Sequence, residues 1–282
     1  MNSVKTLLPL ILATWLTGGI ALAQESGGAS ADEVAKALAN PNTPLASLKF
    51  NNQFRGFEGS LPDANGQSSF TMLFQPNFPF ALESGASVFW RPAVPLISNQ
   101  PVFNAATNQF DEQSGLGDIA FDLAYGRTTE DGILWATGII SSLPTATDDL
   151  GTDRFTLGPE LLYGKLTETY VLGMFPNHQW DIGGSGDVDV SLTTVQLFGT
   201  YLPGGGWNVG TTPIITYDWI TEQWTVPLNF TVGKTFIFGT TPWKLQLEFN
   251  YYVEQADRFG PEWMIGFNFA PVVENVLASW FQ

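Results

Sequence analysis

The stretch that decides the fold is Trp243–Val253, WKLQLEFNYYV. Its odd positions are Trp243, Leu245, Leu247, Phe249, Tyr251 and Val253. Its even positions are Lys244, Gln246, Glu248, Asn250 and Tyr252. A period of two means a β-strand, because successive side chains of a strand point to opposite faces. Eleven residues is also about what a tilted strand needs to cross a bilayer. One face is apolar from end to end and the other is polar, as in a strand with lipid on one side and water on the other.

Working outward, the pattern recurs. Strand-like segments are expected at 48–58, 68–80, 86–96, 118–126, 133–143, 155–165, 170–180, 190–202, 207–219, 224–234, 243–253 and 261–271. Ala86, Val88, Trp90, Pro92, Val94 and Leu96 share a face opposite Ser87 and Arg91. Ile119, Phe121, Leu123 and Tyr125 oppose Asp118, Asp122 and Gly126. About twelve such strands is an even number, as bacterial barrels use. The expected fold is all-β: a transmembrane, antiparallel, up-and-down β-barrel over residues 48–271. A soluble β-sandwich also has alternating strands, but lipid-length strands repeated this often favour the barrel.

The connections alternate in length. Those at 59–67, 97–117, 144–154, 181–189 and 254–260 are long; those at 81–85, 127–132, 166–169 and 203–206 are tight, and 220–223 and 235–242 break the trend. Barrels have short periplasmic turns and longer external loops. This alternation puts Trp180, Trp219, Trp224 and Trp263 at external strand ends and Trp135, Trp207 and Trp243 at periplasmic ends, the two girdles expected at the membrane interfaces. Trp90 falls mid-strand.

The ends of the chain read differently. Lys5, the apolar run Leu7–Leu16 and Ala21-Leu22-Ala23 have the order of a signal peptide over residues 1–23. Residues 24–47 form an N-terminal periplasmic segment, either a linker or a short helix. Ser30 and Glu33 have capping-box spacing, Val34, Ala37 and Leu38 make an apolar stripe, and Asn40-Pro41 ends it. Residues 272–282 form a tail.

Composition excludes several function classes. Only 13% of residues are charged, yet acids outnumber bases 27 to 11, so no basic footprint for nucleic acid exists. With no Cys and one His, thiol chemistry and a zinc site are not expected, and no cofactor is implied. Gly115–Ala120 formally spells a dinucleotide fingerprint but leads into a strand rather than a helix. Gly183-Gly184-Ser185-Gly186 reads as a glycine loop. Asp148, Asp149 and Asp153 crowd one loop, either a solvated acidic loop or a hard-cation site.

Five stretches resemble a known group, the bacterial outer-membrane proteins assigned to the MetA pathway of phenol degradation. They are NPNTPLASLKFNNQF (40–54), SGLGD (114–118), LPTATDD (143–149), YDWITEQWTVP (217–227) and GPEW (260–263). The resemblance implies an outer-membrane barrel that takes up small organic compounds. It brings no catalytic residues. That group usually ends soon after its last strand, near Phe269 here, whereas this chain runs on to Gln282.

Strand parity assigns Arg91, Asp118, Asp122, Glu160, Thr212, Asp218, Asn229, Lys244, Gln246, Glu248, Asn250 and Tyr252 to the barrel interior. The charged members are net acidic, which predicts a cation-preferring pore. The main expectation is an outer-membrane channel for small solutes. Its partners would be outer-membrane lipids and lipopolysaccharide, the barrel-assembly machinery and a small-molecule solute. Two other readings stay open. One is a structural barrel in which Arg91 and Lys244 neutralise Asp122 and Glu248. The other is a lipid-face hydrolase built on His178, with Ser141 or Ser142 as nucleophile and Asn177 adjacent.

Overall fold

A strand in hydrocarbon has no water to hydrogen-bond its backbone, so every strand edge must find a partner. In the computed structural model, which describes residues 30–278, the sheet closes on itself. The strands are β1 (Ala46–Glu58), β2 (Ser68–Ala81), β3 (Ser87–Asn104), β4 (Gln109–Leu116), β5 (Ile119–Thr128), β6 (Ile133–Leu143) and β7 (Arg154–Leu166). They continue with β8 (Tyr170–Gly184), β9 (Ser191–Gly204), β10 (Trp207–Thr211), β11 (Ile214–Asp218), β12 (Gln223–Phe238), β13 (Thr241–Glu254) and β14 (Gly260–Val273). Each pairs antiparallel with its neighbours, and β1 pairs with β14 from Ala46↔Val273 to Glu58↔Gly260. The result is a closed twelve-stave, all-β barrel. The expected signal peptide lies outside the described residues, as do residues 279–282 of the tail.

Fourteen strands make twelve staves because two staves are broken. The first break separates β4 from β5 at Gly117-Asp118, and the second separates β10 from β11 at Thr212-Pro213. Pro213 has no N–H for the ladder, but its carbonyl still accepts from Leu197 N at 3.0 Å. The expected loop at 97–117 is instead a hairpin. β3 runs on to Asn104 and β4 returns beside it, pinned by Phe103 against Phe110 (5.2 Å) and Phe110 against Phe259 (4.7 Å). The connection at 235–242 is a tight turn, since β12 and β13 pair as far as Phe238↔Thr241.

Register confirms the two faces. Leu247, Phe249, Tyr251 and Val253 are exposed on the outside, and Asn250 is buried on the inside. At the loop end, Tyr217 packs on Trp219 (4.8 Å) and Trp224 (4.7 Å); at the turn end, Lys234 lies over Trp207 (4.7 Å) and Trp135 meets Tyr125 (5.7 Å). Trp90, the mid-strand exception, stacks on Phe78 at 5.7 Å.

The N-terminal segment is a helix, α1 (Ala31–Ala39), and it docks. Its capping box is formed, with Glu33 N donating to Ser30 Oγ (3.2 Å) and Ser30 N to Glu33 Oε2 (2.7 Å). The helix contacts β9, β10, β12 and β13 and lies across the turn end of the barrel. Gly206 N donates to Asp32 Oδ1 (2.5 Å), Lys36 meets Glu168 (2.6 Å), Asn40 Nδ2 donates to Thr128 Oγ1 (3.0 Å) and Asn42 Nδ2 to the Trp135 carbonyl (3.1 Å). Gly206 is required here: its φ is +75°, and a Cβ would meet the Thr235 carbonyl at 2.2 Å and crowd Ala31 at 3.3 Å.

The face assignment has a direct test. Leu247 is 54% exposed on the outer wall, where Arg in mid-membrane costs about 2–4 kcal/mol. Leu247→Arg should therefore lower the yield of heat-modifiable, folded barrel far more than Gln246→Arg on the inner wall. Equal yields would contradict the register.

Candidate functional site

The barrel interior has two different walls. On the first, β3 and β5 pair Arg91 opposite Asp122, and β7 brings Glu160 opposite Asn177 of β8. Arg91 Nε donates to both Asp122 oxygens, at 2.7 and 3.0 Å, and its Nη2 lies 3.5 Å from Glu160 Oε1. The guanidinium also sits 4.8 Å from the Phe175 ring centroid. Glu160 is 3% exposed, and neither its Oε1 nor Asn177 Oδ1 has a hydrogen-bond donor. Toward the turn end this wall becomes an apolar core. Ala124, Leu134, Ala136, Leu162 and Val171 pack with Phe175, Phe198 and Leu202, and Ala39 of α1 joins them.

The second wall, on β1, β14, β13 and β12, is polar. Glu248 accepts from three amides: Asn229 (3.0 Å) and Asn250 (3.3 Å) on Oε1, and Asn268 (3.2 Å) on Oε2. Asn229 also donates to Asn250 Oδ1 at 2.8 Å. Nearer the turn end, a cavity of about 120 Å³ is lined by Leu38, Ser47, Lys49, Lys244, Gln246 and Asn268. At the opposite end a larger hollow of about 380 Å³ lies among Glu58, Asn65, Glu254, Gln255 and Asp257.

The sequence-derived interior list is thus partly redistributed. Arg91, Asp122 and Glu160 come together on one wall; Asn229, Lys244, Gln246, Glu248, Asn250 and Tyr252 lie on the other. Asp118 and Asp218 are corrections. Asp118 falls in the break of its stave, where its carboxylate accepts from Thr145 N (3.1 Å), Ala146 N (3.2 Å) and Thr152 N (2.8 Å) and so fastens the 144–153 loop. Asp218 caps the external turn between β11 and β12, accepting from Ile220 N (2.8 Å) and Thr221 Oγ1 (2.8 Å). Thr212 sits in the other break, its N donating to Asn229 Oδ1 (2.6 Å).

Two cations were missed. Lys49 and Arg55 of β1 point inward, Arg55 donating to Gln53 Oε1. The signal was present, because Lys49, Asn51, Gln53 and Arg55 share parity against Leu48, Phe50 and Phe54. Below the loop-end rim the interior charges become Lys49, Arg55, Arg91 and Lys244 against Asp122, Glu160 and Glu248. Lys244 makes no ion pair with Glu248, whose carboxylate accepts from three asparagine amides.

His178 lies on the outer face, as expected, but not beside the residues expected with it. Ser141 donates its hydroxyl to the Thr156 carbonyl (2.7 Å), and Asn177 is buried on the opposite side of the sheet. The imidazole instead meets Thr193 Oγ1 (2.7 Å at Nδ1) and, more distantly, Ser191 Oγ (3.5 Å at Nε2), against the Trp180 ring at 4.2 Å. Trp219 Nε1 donates to the same Thr193 hydroxyl at 2.8 Å. Among the described residues no carboxylate pairs with the ring. Among the described residues no cluster of three metal-ligating side chains is present, so Asp148, Asp149 and Asp153 do not converge.

A closed barrel with an apolar outer band and a polar inner wall is the fold of outer-membrane β-barrels. The chain matches no protein-family model and no curated protein. Among solved structures it is similar to the COG4313 outer membrane channel from Pseudomonas putida F1, with a TM-score of 0.61 and 14% identity over 81% of this chain and 94% of that one. It also aligns with the NanC porin (TM-score 0.48, 9% identity, 80% and 99% coverage). Outer membrane phospholipase A from Escherichia coli aligns similarly (0.47, 11%, 87% and 98%). The first of these likenesses supports the fold.

Removing Arg91 would strand two buried carboxylates. Deleting one partner of a buried ion pair costs about 3–5 kcal/mol. Arg91→Ala should lower the urea midpoint of the detergent-folded barrel, and adding Asp122→Asn and Glu160→Gln should restore much of it. An unchanged midpoint in Arg91→Ala would mean that water reaches these groups.

Proposed function

We propose that this protein is an outer-membrane channel for small organic solutes, with the N-terminal helix seated in its periplasmic mouth. One observation carries the reading. The closed barrel holds an unfilled, polar inner wall along β1, β14 and β13, and a separate helix lies over its end. A structural barrel has no need of such a space, whereas eight-stranded barrels fill theirs with side chains. The opposite inner wall is packed, so the solute path runs along the Lys49–Lys244 side.

The topology supports the orientation. The tight turns and both described chain ends lie on one side, which in outer-membrane barrels faces the periplasm. The channel description of the similar Pseudomonas protein favours a channel, and the resemblance to the phenol-degradation group favours small organic solutes. On this reading the barrel is inserted by the assembly machinery and is surrounded by outer-membrane lipid and lipopolysaccharide. Its conductance carries no strong cation preference, because the interior charges nearly balance.

Helix α1 is held by its buried Val34 and Ala35 and by polar ties at the mouth, each worth about 0.5–1.5 kcal/mol. Asn40→Ala with Asn42→Ala should therefore raise the mean conductance or opening frequency in planar bilayers, and deleting 30–44 should raise it further. Wild type and deletion that are both silent would support a structural barrel instead. His178→Ala should leave conductance unchanged. Phospholipid hydrolysis by the wild type that is lost in His178→Ala would replace the channel reading with an enzyme.

A further inference from the structure

The cavity at the turn end has a chemistry of its own. Lys244 of β13 lies in register with Ala270 of β14, and Lys49 of β1 flanks the same position from the other side, between the Ser47↔Val272 and Phe50↔Phe269 pairs. The small Ala270 leaves the space between the two lysines open, and both line the hollow of about 120 Å³. Ser47, Gln246 and Asn268 complete its polar lining, and Leu38 of α1 supplies an apolar side.

Neither lysine is paired at contact distance with a carboxylate, and Glu248 acts on Lys49 only through space. Arg91 is held by Asp122 and Glu160, and Arg154 by Asp181 and Asp189. Among the described residues neither Lys49 nor Lys244 forms an ion pair. Glu248, on the same face of β13, is committed to Asn229, Asn250 and Asn268. Two like charges placed side by side repel, and the repulsion is stronger within a low-dielectric wall than in bulk water. A lysine pair that faces a hollow with no carboxylate at contact distance is an arrangement that an anion between them would stabilise.

We propose that Lys49 and Lys244 bind an oxyanion, the carboxylate or phosphate head of a small solute, at the helix-covered end of the interior. The two ammonium groups grip the head as charge-assisted donors, and Leu38 offers an apolar surface to the body attached to it. This names a solute class for the proposed channel and rests on that reading for its role, but not for its existence. Binding here is a property of the folded barrel whether or not it conducts.

The test uses the full chain folded in detergent micelles at low ionic strength. Sodium benzoate, inorganic phosphate and neutral benzyl alcohol are titrated separately by calorimetry. Acylation of lysines by an amine-reactive reagent is mapped in parallel by peptide mass spectrometry. Benzoate, phosphate or both should bind and slow acylation of Lys49 and Lys244, while Lys165 and Lys234 react as before. Lys49→Met with Lys244→Met should weaken binding roughly tenfold or more, and Lys49→Arg with Lys244→Arg should retain most of it. Heat-modifiable gel mobility confirms that each variant is folded. Benzoate alone would assign the site to carboxylates, phosphate alone to phosphates, and both to oxyanions in general. Benzyl alcohol binding as well as benzoate, binding unchanged in the methionine variant, or no binding by either anion would overturn the proposal. Bilayer conductance separates the two readings. Binding without conductance removes the channel and leaves the site; conductance without binding does the reverse.

Discussion

Everything in this molecule depends on the pairing of β1 with β14. Without it the sheet would expose two rows of unpaired N–H and C=O groups to hydrocarbon, each costing several kcal/mol. The pairing from Ala46↔Val273 to Glu58↔Gly260 joins the two ends of the sheet and defines an inside. That inside is then free to be polar, because the apolar requirement falls on the outer face alone. The two-residue period of β13 records this division directly.

The interior is not uniform. One wall is built like a protein core, with Leu134 and Val171 fully buried and α1 contributing Ala39. The facing wall is built from amides and lysines. A barrel filled evenly would need apolar residues on both. The asymmetry also explains how Glu160 can remain so buried, since it stands beside the packed half and reaches Arg91, whose guanidinium lies over Phe175.

Much of this was legible in the sequence, for stated reasons. Twelve staves could be counted because lipid enforces strict alternation, and α1 could be found because Ser30 and Glu33 form a capping box. The β3–β4 hairpin was not legible. Its second strand, QFDEQSGL, is polar and stands beyond the bilayer, so the apolar alternation that marks the other staves is lost. Asp118 and Asp218 were misplaced because parity describes strands and both residues sit where a strand stops. Lys49 was legible but was overlooked, since β1 mixes Asn52 into its outer face and blurs the contrast. The docking of α1 left no local signal, because the partners that hold it lie 88 to 174 residues away in the chain.

That last separation bears on how the protein is made. Helix α1 precedes every strand, yet Gly206, β12 and β13 provide much of its seat. The helix can fold early through its own cap, but its seat is incomplete until β13 has paired with β12. Synthesis order and docking order are opposed. The seat must therefore be built before it can be filled, so the mouth stands uncovered until the last hairpins form.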